Sequence, residues 1–152
     1  SSNWVPPPQQ QCSVTASTKG GFSSMKIEGS LGSFLVMLLI DNGATHNFIS
    51  PNLTRLLALE VQHSHQLHIK LGDGHQQWSL GICPQLPLCI SQYIYTIAAH
   101  VLDIGSLVII LGIAWLRTLG EVQTNWRTMR MQFSVADHSY CLQGTPPLSA
   151  ST

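Results

Sequence analysis

The stretch Phe34-Leu35-Val36-Met37-Leu38-Leu39-Ile40-Asp41-Asn42-Gly43-Ala44-Thr45-His46-Asn47-Phe48-Ile49-Ser50 decides how the chain folds. Seven apolar residues run without a break into one acid, and an Asn-Gly-Ala turn follows at once. A run of that length closed by a turn signal reads as a strand buried on both faces. An acid at the mouth of such a strand sits where burial disfavours its charged form and raises its pKa. The chain has only seven Asp and Glu in 152 residues, so one placed at the end of its most apolar segment asks for a reason. The simplest reading is an ordinary strand and turn, because Asn-Gly is a strong hairpin signal and Asp caps turns through its own backbone.

Toward the N-terminus, Ser24–Glu28, a Gly29-Ser30 turn and Leu31–Ile40 predict a hairpin. Toward the C-terminus, Ser50 reads as the N-cap of a short helix with Pro51 at its first position. Leu53, Leu56, Leu57 and Ala58 would give that helix one apolar face. Leu67–Leu71, the tip Gly72-Asp73-Gly74 and Gln76–Ile82 predict a second hairpin, whose glycines permit positive φ and mobility. Trp78, just past the tip, is placed to pack on a ligand or on the core. Further strands are predicted at Leu86–Ile90 and Tyr93–Ala99, broken by Pro84, Pro87 and Ser91-Gln92. Leu107–Leu111 then reads as a buried strand passing through Gly112 into a helix over Ile113–Leu119, with Gly120 as its C′ residue. Val122 to Phe133 alternates apolar and polar as closing strands do.

The ends are different in kind. Residues 1–22 carry Pro6-Pro7-Pro8-Gln9-Gln10-Gln11 and then a Ser-, Thr- and Gly-rich run, so they read as a linker. Residues 136–152, with Pro146-Pro147 and a small polar end, read as a tail. One domain over 23–135 is left between them, long enough for a core of its own.

Composition narrows the function. Hydrophobic residues make up 44% and charged residues 9%, far below the roughly 25% usual for soluble domains, which suits a chain that hides surface in a partner. Lys plus Arg equals Asp plus Glu, so the basic face that phosphate binding requires is missing and nucleic acid is not an expected partner. No segment reaches the ~18–20 apolar residues of a membrane span. The N-terminal residues lack the charged-then-apolar plan of a signal peptide. Cys12, Cys83, Cys89 and Cys141 show no close CxxC spacing; Cys83 and Cys89 could pair in principle, but without a secretory signal all four are expected as reduced thiols, in a cytoplasmic, non-secreted protein. His63, His65 and His68 invite a metal reading, but no acid or cysteine lies nearby to complete a site. They read as solvent-facing strand histidines, as do His46 and His75, and neither a metal nor a cofactor is expected.

A resemblance now joins two of these segments. Leu39-Ile40-Asp41-x-Gly43-Ala44-Thr45-His46-Asn47-Phe48-Ile49-Ser50 resembles the active-site segment of retropepsin-like aspartic proteases, especially those of plant gypsy-type retrotransposon polyproteins. Ile110-Leu111-Gly112-x-x-Trp115-Leu116 resembles the same family's second motif, which ends its core strand and opens its helix. The resemblance spans about residues 24–133. Three departures stand out: Asn42 replaces the family's Ser or Thr, Val108 replaces its usual Asp, and Ala114 stands where it often has a polar residue.

The resemblance implies a mostly β fold: a closed, antiparallel, barrel-like retropepsin domain with a flap hairpin and one short C-terminal helix. It implies that Asp41 is catalytic, that Asn42, Gly43, Ala44 and Thr45 form the active-site turn, and that Gly72, Asp73 and Gly74 form a flap over substrate. Ile110, Leu111 and Gly112 would lie beside the active site.

Catalysis of this kind needs two carboxylates within about a hydrogen bond of each other sharing one proton, and they titrate as a pair. The chain repeats the apolar-Asp-x-Gly pattern once more, at Leu102-Asp103-Ile104-Gly105. That stretch follows too soon to hold a second lobe, so Asp103 reads as a turn residue. The second carboxylate is therefore expected from a second copy of the chain. The implied function is a homodimeric endopeptidase that processes a gag-pol polyprotein. The alternative is a catalytically impaired dimerisation or binding module, because Asn42 lacks the hydroxyl that bonds across the family's two-fold axis.

Overall fold

The computed structural model describes residues 24–63, 66–70, 76–105, 107–135 and 137–144. Its strands are β1 (Ser24–Leu31), β2 (Phe34–Asp41), β3 (Phe48–Ile49), β4 (His68–Lys70), β5 (Gln76–Trp78), β6 (Gly81–Ile90) and β7 (Tyr93–Val101). They continue as β8 (Val108–Leu111), β9 (Val122–Asn125), β10 (Arg130–Val135) and β11 (His138–Gln143). Two short helices, α1 (Pro51–Leu56) and α2 (Ile113–Leu116), complete the described elements, with a turn of 3-10 helix at Arg117–Leu119.

Six strands close a barrel in the order β1-β2-β8-β3-β7-β6, while β11-β10-β9 form a separate sheet and β4-β5 a hairpin stem. The expected mostly β, barrel-like architecture is therefore the observed one. Two of the barrel pairings, β2 with β8 and β3 with β7, are parallel. This matters for the site: parallel neighbours end side by side, so Ile40 stands opposite Leu111 and Asp41 reaches the same end of the barrel as Gly112.

β2 is apolar because it is central, paired to β1 on one edge and β8 on the other. Its inward residues Val36, Leu38 and Ile40 are buried with Met25, Ile27, Leu88, Ile109 and Leu111. The expectation of burial on both faces holds only near its C-terminal end. Leu35 is 75% exposed, and Phe34 and Met37 are also open to solvent. The uninterrupted apolar run hides that difference, since hydrophobicity alone does not say how far the neighbouring elements extend.

Several boundaries shift from the sequence reading. The first hairpin turns at Gly32-Ser33, with Leu31 opposite Phe34, and not at Gly29-Ser30. Gly29 lies inside β1, where an added Cβ would stand 2.7 Å from a Leu38 methyl. The prolines do not break β6. Pro87 faces Thr96, and the strand absorbs an irregularity between Cys83 and Leu86. Ser91 and Gln92 both adopt positive φ in the two-residue turn into β7, the geometry that matches strand twist.

Ser50 does cap α1, its Oγ accepting from the Leu53 N–H at 3.2 Å. The apolar face of α1 is narrower than expected, for Leu53 is buried and Leu56 exposed. The helix over Ile113–Leu119 is α-helical only to Leu116, and Gly120 ends it at positive φ. Residues 138–143 are not tail: β11 pairs along the whole of β10, and Leu142 is buried. The expected linker of residues 1–22 lies outside the described residues. Among the described cysteines, Cys83, Cys89 and Cys141 are free. No described helix is long and apolar enough to cross a membrane.

Candidate active site

Asp41 is the last residue of β2 and is fully buried, with 0% of its surface exposed. The turn that follows bonds to its own acid. The Gly43 N–H donates to Asp41 Oδ1 at 2.8 Å, and the Ala44 N–H donates to the Asp41 carbonyl at 3.2 Å. Oδ2 is buried without a hydrogen-bond partner among the described residues. Burial pushes the carboxyl up to about 6, and the Gly43 N–H offsets part of that rise by favouring the anion. One oxygen held and one left over describes a group able to take or give a proton near that value.

The turn is locked against the second motif by backbone contact. The Ile113 N–H donates to the Ala44 carbonyl at 2.8 Å and the Ala114 N–H to the Thr45 carbonyl at 3.2 Å. Gly112 makes this approach possible: a Cβ there would lie 2.5 Å from both the Ala44 and His46 carbonyl oxygens. No side chain fits at that distance, which is the physical content of the glycine in Ile110-Leu111-Gly112. Ile110 and Leu111 are buried, and Ile110 packs with Ala44, Phe48, Ile69 and Leu102.

Asn47 is not singled out by the sequence reading, yet it ties three segments together. Its Oδ1 accepts from the Gly112 N–H at 3.0 Å, and its Nδ2 donates to the Ala98 carbonyl at 3.1 Å. Its own carbonyl accepts from the His100 N–H at 2.9 Å. The available signal is chemical: a buried Asn beside a strand must find donors and acceptors, and both ends of this amide do.

His46 also departs from expectation. It is half-buried rather than solvent-facing, it shares a 2.9 Å hydrogen bond with Thr45 Oγ1, and its ring meets that of His100 edge-on at 5.3 Å. Burial lowers its pKa. Of the three histidines in the 63–68 run, His63 is exposed with Nδ1 2.9 Å from the Leu80 carbonyl, and the His68 ring lies tilted against Trp78 at 4.8 Å between centroids. His65 and His75 lie outside the described residues. No group of three or more metal-ligating side chains forms among the described residues.

The expected flap tip, Gly72, Asp73 and Gly74, also lies outside the described residues. Its stem is described: β4 and β5 pair from His68–Trp78 to Lys70–Gln76. Ile69, in that stem, is fully buried in the cluster that holds Ala44, so the hairpin is anchored beside the Asp41 turn. Trp78 is exposed and does not join the core. Asn42 is exposed at the head of the turn. It borders an apolar cavity of about 370 Å³ lined by Ile40, Ile113, Leu116, Trp126 and Met131 among others.

Comparison with known proteins agrees with this architecture. Residues 37–143 match the family model of the PEG10/RTL1 protease domain. No curated protein matches. Among solved structures, the retroviral protease-like domain of Ddi1 from Leishmania major superposes with a TM-score of 0.57 at 11% identity. That match covers 81% of this chain and 92% of that one. A retropepsin-like aspartic protease from Rickettsia conorii gives a TM-score of 0.50 at 14% identity, covering 68% of this chain and 77% of that one. The structural likenesses speak for a retropepsin-like fold and the sequence match for the family: the chain belongs to the PEG10/RTL1 protease domain family.

Proposed function

We propose that the chain is an aspartic endopeptidase that works as a two-fold homodimer, each copy contributing Asp41. The observation that carries this reading is the Asp41 carboxylate, buried, fixed by Gly43 through one oxygen and without a partner at the other among the described residues. In the dimer the two carboxylates face each other and share one proton. The ionised one takes a proton from water as the water oxygen bonds to the scissile carbonyl carbon, and the protonated one gives its proton to the carbonyl oxygen. Collapse of the tetrahedral intermediate then breaks the C–N bond, the amine leaving with a proton from the pair. The pathway needs no covalent enzyme intermediate.

The buried stem residue Ile69 supports a flap role for Gly72–Gly74, closing the substrate against the Asp41 turn. The His46-Asn47-Phe48-Ile49-Ser50 sequence supports an origin in a plant gypsy-type retrotransposon, whose gag-pol polyprotein the dimer would process. A second reading, a dimerisation or binding module with impaired catalysis, is favoured by one observation. Asn42 stands exposed where the family presents a hydroxyl to its partner copy.

Incubating the chain with a gag-like polyprotein at pH 4–6, with and without pepstatin, separates the readings. Pepstatin-sensitive cleavage whose rate rises with dimer concentration is the expected result. An inert protein that still dimerises leaves the binding-module reading in place.

A further inference from the structure

Among the described residues, the N-terminal half of β7 is an open sheet edge. β3 pairs with β7 only at Phe48–His100 and Ile49–Val101, so Tyr93–Ala99 have β6 as their single strand neighbour among the described residues. The His100 N–H and the Ala98 carbonyl both bond to Asn47 on the β3 side. Strand alternation therefore turns the N–H and C=O of Ile94 and Thr96, and the N–H of Ala98, toward that same open side. Pro87, opposite Thr96, agrees with this register, because a residue without an N–H fits where no ladder bond to β7 is due. No described residue bonds to these Ile94, Thr96 and Ala98 groups.

A cavity of about 430 Å³ runs along this edge, lined by Asn47, Thr96, Ala98, Ala114, Trp115 and Thr118 among others. None of its lining side chains is charged. Beneath it, Trp115 is 1% exposed and its Nε1 has no partner among the described residues; the Tyr95 hydroxyl is likewise buried and unpartnered. The two rings meet edge-on at 5.5 Å. The residues Tyr93 to Ala98 include neither Lys nor Pro, the usual guards of an exposed edge.

We propose that this groove binds an extended, uncharged peptide segment of another protein as an added strand on β7. Donor and acceptor pairs repeating every second residue, roughly 7 Å apart, match a peptide backbone. The uncharged walls would desolvate a charged side chain without compensation, which selects an uncharged segment. With Ala114 and Trp115 of α2 in its wall, the groove suits a lone strand better than the edge of a second barrel, which brings its own sheet. The site is separate from the Asp41 turn, and strand addition there does not depend on catalysis.

The test uses the whole chain carrying Asp41→Asn, so that the peptide stays intact whatever the wild type cleaves, and follows amide resonances. The probe is the capped peptide acetyl-Thr-Val-Thr-Val-Thr-Val-amide, with two analogues N-methylated on the Thr or on the Val amides. Saturable shifts at the Ile94, Thr96 and Ala98 amides are expected. One analogue should bind as the parent does and the other at least about tenfold more weakly, since only alternate amides face the edge. Thr96→Pro removes an outward N–H, and Ala114→Arg crowds the groove from α2; each should also weaken binding at least about tenfold. Shifts centred on Asn42 and Gly43, equal binding by both analogues, undiminished binding by Ala114→Arg, or an absence of saturable shifts would each overturn the proposal. So would self-association through β7 that the peptide does not displace.

Discussion

Ile40-Asp41-Asn42-Gly43 and Leu102-Asp103-Ile104-Gly105 share one local pattern, and the fold treats them in opposite ways. Asp41 ends a strand flanked by β1 and β8 and is fully buried. Asp103 follows the end of β7 in irregular backbone and is exposed, its carbonyl accepting from the Gln77 side chain at 3.4 Å. Gly43 donates its N–H to the neighbouring acid, whereas Gly105 serves a turn at φ +80°. Burial raises the Asp41 carboxyl to about 6, so the difference in surroundings becomes a difference in chemistry.

The largest expected effect breaks the symmetry of the pair directly. Asp41→Asn keeps the shape and removes the group that the proposed mechanism uses to transfer protons, so peptide cleavage should fall at least about a thousandfold while the fold and the proposed dimer persist. Asp103→Asn should leave turnover unchanged. Equal losses from both substitutions, measured as kcat/KM on one peptide substrate, would mean the two turns are not functionally distinct.

The glycines of the two regions extend the comparison to stability. Gly112→Ala places a methyl 2.5 Å from the Ala44 and His46 carbonyl oxygens, the first of them held by the Ile113 N–H, and should cost about 3 kcal/mol by denaturant unfolding. Gly105→Ala meets open space and should cost only about 1 kcal/mol, from its positive φ. A Gly112→Ala chain as stable as wild type would show that the two motifs are not in firm contact.

The pH dependence isolates the Asp41 side. Its folded pKa, about 6, lies above the ordinary 3.8, so between these values the folded chain binds more protons than the unfolded one. Stability therefore falls as pH rises from about 4 to about 6 and levels off above, with a contribution on the order of 2–3 kcal/mol in the monomer. Asp41→Asn should flatten that segment of the curve, and Asp103→Asn should not. An unchanged slope in Asp41→Asn chains would remove the buried-acid account.

The smallest effect concerns the neighbour of the acid. If the chain works as the proposed homodimer, Asn42→Ser supplies the hydroxyl that the retropepsin resemblance implies across the two-fold axis, and should tighten that dimer by roughly 0.5–1.5 kcal/mol per restored hydrogen bond. Sedimentation at several concentrations measures this, and activity should rise with it. A dimer no tighter than wild type would mean that Asn42 already makes an equivalent contact.

Much of the site is legible in the chain because it rests on short-range chemistry. The strand into Asp41, the turn at Gly43, the Ser50 cap and the Gly120 stop are each encoded by residues within a few positions of one another. Asp103, expected in a turn, lies instead in irregular, exposed backbone just after β7. Asn47 escapes a reading of the chain because its partners, Gly112 and Ala98, are 65 and 51 residues away. The turn expected at Gly29-Ser30 lies instead at Gly32-Ser33 because β1 needs Gly29 against Leu38, a cross-strand demand invisible to turn propensity.

The sequence by itself determined the mostly β class, the two motifs and the ionisable group, since hydrophobic period, turn chemistry and the scarcity of acids are properties of the chain. Tertiary structure decided how completely Asp41 is buried, with one carboxylate oxygen held and the other facing no described partner. It also decided that Gly112 touches the Asp41 turn, that residues 138–143 join a sheet, and that β7 keeps one edge open among the described residues. Those outcomes depend on parallel pairings and on where each neighbouring strand stops, and a strand's own residues do not record how long its neighbour will be.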